Sequence, residues 1–209
     1  MRGFLRFVMW ATAILGAVGL ILYLVVFDVW TVPNDDPVAT AAMEPTLHPF
    51  DHLLVTHGSD TKPGHLVRCT DPDAPGRFVV GRIVAKGGDS VAVDEIVVVN
   101  GKRNPSPHAC TDPHRNMRHP TTGEDIVLDC NIEDTDGNEH EALRYLSHPE
   151  ATLKTKVEGD KLFLVSDNRH LHLDSRDFGQ ISGSSCQHVV YRLWGETYFD
   201  AGRRFNFLW

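Results

Sequence analysis

FLVSDNRHLHLDSRDFGQI, residues 163–181, joins an apolar run to a dense cluster of charge. Residues 162–165 have the length and apolarity of a buried strand, and the chain then turns to Asp, Asn, Arg and His, which are not core residues. Asp167, Arg169, Asp174, Arg176 and Asp177 bring both signs together within eleven residues. Side-chain pairing can therefore hold an irregular backbone that ladder hydrogen bonds cannot. Gly179 then allows a turn or a close approach. A solvated charged loop has the same composition, and two stretches further upstream tell the two apart.

Outward from there, 209 residues at 42% hydrophobic and 23% charged suit one or two small domains with a real core. The net charge is −8 and no run of Lys and Arg forms a basic stripe, which leaves nucleic-acid binding without support. Residues 7–27, FVMWATAILGAVGLILYLVVF, are 21 positions without a charge. As a helix rising about 1.5 Å per residue they span the roughly 30 Å hydrocarbon layer. A cleaved signal peptide would show a shorter apolar region and a small-x-small site, which residues 28–33 lack. An uncleaved anchor over residues 1–30 is expected, with Arg2 and Arg6 holding the N-terminus in the cytoplasm, the remainder exported, and Trp30 at the outer interface. Without Arg2 and Arg6 the exported part has 18 basic against 28 acidic residues, a net −10 that gives no attraction to anionic lipid.

Four cysteines, Cys69, Cys110, Cys130 and Cys186, fit an oxidising compartment. Cys110 and Cys130 flank a loop rich in Pro, His and Gly, so a bridge there is favoured; Cys69 and Cys186 either pair or stay buried thiols. No CxxC spacing supports a zinc site. Residues 32–37 read as a linker, 51–55 as a strand, and 78–86 as a β-rich run ended by Gly87-Gly88-Asp89. Residues 90–93 and 95–99 read as a hairpin whose far end closes through Asn100-Gly101, a type I′ pattern. From 101 to 160 Pro, His, Thr and acids dominate, which predicts a loop-rich inserted subdomain with a short helix at 141–146. Strands resume at 161–165 and 188–194, and the tail aromatics Phe205, Phe207 and Trp209 pack on the domain or dip toward lipid.

An apolar N-terminal span, then Met43-Glu44-Pro45-Thr46-Leu47, then Gly81-Arg82-Ile83-Val84-Ala85 with Gly88-Asp89, then Asp167-Asn168-Arg169 with Asp174-Ser175-Arg176 and Gly179 arrive in one order. Together they resemble the type I signal peptidase family, membrane-anchored Ser-Lys peptidases that trim exported preproteins. The resemblance covers nearly all of the chain except the insertion between Val99 and Lys161. It implies a mainly β fold: a transmembrane helix, a twisted antiparallel sheet domain over residues 31–100 and 161–209, and the inserted subdomain at 101–160. It implies no cofactor, an inner cell membrane location, and an extended peptide or exported preprotein as partner.

The family's nucleophilic serine immediately precedes the Met of the first motif, where this chain has Ala42. Its general-base lysine immediately precedes the Arg of the second, where this chain has Gly81, and the serine that orients the lysine corresponds to His172. Asp167, Asn168, Arg169, Asp174, Ser175 and Arg176 keep the surrounding frame, and Thr40 keeps the hydroxyl that serves the oxyanion. Val38, Ala39 and Ala41, with Phe78, Val79 and Val80, correspond to the walls between which a peptide adds as a strand. Amide hydrolysis by this route needs a hydroxyl nucleophile and a neutral amine. A methyl group and bare backbone supply neither. In a comparable serine protease, removing one member of such a unit costs about six orders of magnitude in turnover, so a catalytically silent, peptide-binding relative with no metal is expected. Two alternatives stand beside it. One is a rebuilt hydrolase with His172 as base and Thr40, Thr46 or Ser175 as nucleophile; the other is a zinc shell of His170 and His172 completed by His48 or His52. Lys86 is no substitute base, because five residues along a strand, about 16 Å, put it far away and on the opposite face.

Overall fold

The computed structural model describes residues 2–58, 61–147 and 151–208. Helix α1 (Arg2–Val25) contains a window, Gly3–Ile21, long and apolar enough to cross a membrane. The helix does not carry on to Phe27 as the uncharged run predicts. It gives way at once to β1 (Phe27–Thr31), in which four of five residues are aromatic or β-branched and Asp28 reaches the buried Arg68 at 3.2 Å. Trp30, expected at the membrane interface, is drawn into the domain with β1 and packs edge-on against Phe78 at 6.4 Å.

Residues 32–37 do not simply lead away from the membrane. Val32 is buried in the core, and Asp36 caps helix α2 (Pro37–Ala42) by accepting from the amides of Val38 and Ala39. Pro37 in the first turn has no N–H to leave unpaired. Three strands come next: β2 (His52–Thr56), β3 (Leu66–Thr70) and β4 (Phe78–Lys86). After them, β5 (Ser90–Val93), β6 (Val97–Val99) and β7 (Lys102–Arg103) form a meander. Asn100 and Gly101 at its last turn both take positive φ, 51° and 77°, as the type I′ reading requires.

The expected loop-rich insertion instead carries a three-stranded antiparallel sheet of β8 (Ala109–Arg118), β9 (Asp125–Thr135) and β10 (Asn138–Arg144). The short helix expected at 141–146 is the end of β10 and the turn after it. Asp136 and Gly137, with φ of 55° and 86°, make the tight β9–β10 hairpin, and Leu128 and Cys130 alternate inward along β9. The return path runs through β11 (Leu153–Lys156), which pairs with β5, then β12 (Lys161–Val165) and β13 (Ile181–Ser182). It ends with β14 (Cys186–Trp194) and β15 (Asn206–Phe207). The principal sheet has the order β1-β2-β14-β3-β4-β12-β13, antiparallel throughout, with β15 added to β14.

β4 lies inside this sheet, between β3 and β12, and is covered on both faces. Val79 and Ile83 pack with Val67, Leu162 and Leu164, while Val84 and Ala85 pack with Val91, Val93 and Phe163. Both cysteine pairs are bridged: Cys69–Cys186 joins directly opposed residues of β3 and β14, and Cys110–Cys130 joins β8 to β9. The tail packs on the domain through β15 and the buried Leu208, with Phe205 and Phe207 exposed; Trp209 lies outside the described residues.

Candidate functional site

The charged segment after β12 is not solvated. Asp167, Asn168, Arg169 and Asp174 are completely buried and Ser175 is nearly so. The Asp167 carboxylate accepts from Nε and Nη2 of Arg82 at 2.9 Å each and from the Thr46 hydroxyl at 2.5 Å. Burial alone would raise its pKa, but Arg82, His140 and Arg169 hold it well below the usual carboxylate range. This bond ties the second motif to the third, because Arg82 lies on β4 beside Gly81 and also donates to the Gly64 carbonyl at 2.8 Å. Asn168 donates from its backbone N–H to the Ala42 carbonyl at 2.9 Å and from Nδ2 to the Ala41 carbonyl at 3.1 Å. The end of α2 is thereby clamped. Asp174 accepts two bonds from the Arg176 guanidinium and one from the Ser166 amide, Ser175 Oγ accepts from the Leu164 amide, and Arg176 Nη1 reaches the Arg169 carbonyl. Asp167, Arg169, Asp174 and Arg176 therefore lie in one connected network, and Asn168 and Ser175 tie the same loop to α2 and to β12; together they fix it without a sheet ladder.

The insertion supplies part of this network, which sequence reasoning missed. Glu133 on β9 receives Arg169 at 2.7 Å and Arg144 at 2.5 Å, and Leu143 exchanges backbone bonds with Asp167 and Arg169. His140 on β10 lies 3.7 Å from Asp167, and Met117 on β8 touches Asn168. The readable signal was Asp136-Gly137, a two-residue hairpin pair that would have set β9 against β10.

Ala42 is 1% exposed, at the clamped end of α2. At Gly81 an added Cβ would stand 3.0 Å from Leu164 Cβ and 3.6 Å from the Val165 carbonyl oxygen. The Thr40 hydroxyl donates to the Asp36 carbonyl at 2.9 Å inside its own helix. Of the proposed walls, Ala39, Phe78, Val79 and Val80 line one cavity together with Thr40, whereas Val38 and Ala41 do not. The α2 wall is helical, so it offers no extended backbone to a peptide. β4 does: it pairs with β3 along Phe78–Arg82, but with β12 only from Arg82 to Lys86. Phe78 to Gly81 thus have no strand partner on that side among the described residues.

His172 is held by Asp177, Nδ1 to Oδ2 at 2.8 Å. The three candidate hydroxyls are committed elsewhere, Thr40 to Asp36, Thr46 to Asp167 and Ser175 to Leu164. The alternative zinc donors are likewise dispersed: His52 binds the Thr31 hydroxyl on the β1–β2 pair, and His170 faces Glu95 at 3.6 Å. Among the described residues the donor clusters able to hold an ion are His172 with Asp174 and Asp177, and Cys110 with Cys130 and Glu141, the second being a disulfide. In the first, Asp174 is already saturated by Arg176.

A helix long and apolar enough to cross a membrane is thus followed by a curled antiparallel sheet with a buried Asp-Arg frame. The family model described as signal peptidase, peptidase S26, matches residues 7–194, and the chain belongs to that family. A search of curated proteins finds no match.

Proposed function

We propose that this chain is a membrane-tethered, catalytically silent signal peptidase relative that binds an extended exported peptide. The observation that carries this is two missing side chains inside an intact frame. Ala42 offers a methyl group where the family's nucleophile stands, and Gly81 offers nothing where its base stands, while all six frame residues keep their bonds. Main-chain pairing needs no nucleophile, and the unpartnered edge of β4 beside the cavity supports a one-sided strand addition. In this proposal residues 1–30 carry the membrane anchor, its helix α1 ending at Val25 with the N-terminus cytoplasmic and β1 already belonging to the sheet domain. Residues 31–100 and 161–209 form the exported peptide-binding domain, and 101–160 brace its frame.

The His172–Asp177 pair favours one second reading, a rebuilt hydrolase in which Asp177 orients the imidazole as a base. Preprotein processing separates the two. Wild-type protein should leave a secretory precursor intact, and Ala42→Ser with Gly81→Lys should cleave it slowly, because Leu164 must yield a few tenths of an ångström to admit the new side chain. Wild-type cleavage that disappears in His172→Ala would establish the hydrolase instead.

A further inference from the structure

Peptide binding by main-chain pairing leaves open which side chains the groove prefers. We infer that its cavity selects a bulky apolar side chain, leucine or an aromatic, with a basic residue close by in the same peptide. This rests on the peptide-binding proposal and deepens it.

The cavity beside the free β4 edge holds about 190 Å3. A cavity of roughly 150 Å3 with apolar walls admits a benzene molecule, so this one takes a ring or a leucyl side chain, and a methyl group would leave most of its wall uncovered. Most of that wall is apolar, with Trp30, Val32, Leu47, Phe78, Val80 and Leu173. Two of these residues are held in place. The buried Arg68 stacks its guanidinium on the Phe78 ring at 4.4 Å and on Trp30 at 5.3 Å, and the two rings meet edge-on. Phe78 is nevertheless 43% exposed, a fixed aromatic surface on the strand edge to which the peptide backbone would add. Aromatic surface in that position gains most from a large apolar partner.

Charge fixes the second element. Two acids line the cavity, and Asp36 is spent: it caps α2 and pairs with Arg77 at 2.8 Å. Asp35 is exposed and makes no ion pair or hydrogen bond among the described residues, so its carboxylate faces whatever passes the cavity mouth. A Lys or Arg in the peptide complements it; a Glu or Asp is repelled. Because β1, which carries Trp30, comes directly after α1, the occupant is a peptide close to the membrane.

Fluorescence polarisation on full-length protein in detergent micelles tests this with labelled extended peptides that differ at one position, Ala, Leu or Phe, each made with an adjacent Lys or Glu. Leu and Phe peptides should bind about tenfold or more tightly than the Ala peptide, and Lys should beat Glu severalfold. Asp35→Lys, a surface change that leaves the core untouched, should reverse the charge preference, and Ala39→Phe should cancel the preference for size. Equal or tighter binding of the Ala peptide overturns the inference and leaves peptide binding intact. An unchanged charge preference in Asp35→Lys removes its second element. If no peptide binds at all, the proposed function itself is wrong.

Discussion

His140 should make this protein acid-sensitive at pH values above those at which the buried carboxylates Asp167 and Asp174 titrate. Its side chain is 2% exposed, with Nε2 3.7 Å from Asp167 and 3.9 Å from Glu133, and Arg82 and Arg169 stand close by. Burial, reinforced by Arg82, pushes its pKa down to about 3, against 6.5 for an unhindered imidazole. Between these values the unfolded chain takes up a proton that the folded chain refuses, so stability falls as pH drops from 6.5 toward 3. The slope approaches about 1.4 kcal/mol per pH unit only once the unfolded imidazole is fully protonated, so going from pH 6.5, where it is half protonated, to 4.5 costs about 2.3 kcal/mol. That is a large part of a typical stability of about 5–15 kcal/mol. Asp167, Glu133 and Asp174 all have depressed pKa values, so what they contribute is present above their unfolded values near 4 and lost only below them. His48, pushed down to about 4 mainly by burial, acts in the same direction as His140 but is only partly buried. Urea unfolding of full-length protein in detergent, followed by tryptophan fluorescence at pH 6.5 and 4.5, isolates His140 by comparison with His140→Gln. Wild type should lose about 2.3 kcal/mol more than the variant over that interval. Equal losses would refute a neutral buried imidazole at this position.

Removing the Arg82 guanidinium should be among the most damaging single changes. Arg82→Met strands a fully buried Asp167 carboxylate, and thermal unfolding should register a loss of about 3–5 kcal/mol. The two disulfides should rank by loop length. Opening Cys69–Cys186, which closes 117 residues, should cost more than opening Cys110–Cys130, which closes 20, by about 1–2 kcal/mol in chemical denaturation. Gly87→Ala should prevent normal folding, because its Cβ would fall 1.6 Å from the Gly159 carbonyl oxygen; a native-like melting profile would contradict that packing.

The parts of the fold legible in the sequence were those carried by local signals. The uncharged run gave the helix, Asn100-Gly101 gave its turn, and the apolar run at 162–165 gave β12. The motif order anticipated which segments come together, because Asp167 meets Arg82 and Asn168 meets Ala42, each on another element. Hydropathy did not place the end of the helix, since an apolar count cannot distinguish a helix end from a strand directly after it. Asp36-Pro37 is a good helix start, yet the family resemblance favoured an extended wall there, and α2 was missed. In the insertion, polar outward faces hid the strands, with β8 largely exposed. The contribution of Glu133 and His140 to the frame depends on contacts of the β9–β10 hairpin with Arg169 and Asp167 further along the chain; Asp136-Gly137 marks the turn but not what the hairpin packs on.

The most direct test is to incubate purified full-length protein in detergent with a secretory preprotein and to read the products by mass spectrometry, with the Ala42→Ser and Gly81→Lys double variant alongside. With a methyl group and bare backbone at the two reacting positions, wild type should release no signal peptide above the buffer blank, while the double variant should release some. Cleavage by wild type at the precursor's normal junction, with contaminating peptidase excluded, would contradict a catalytically silent site.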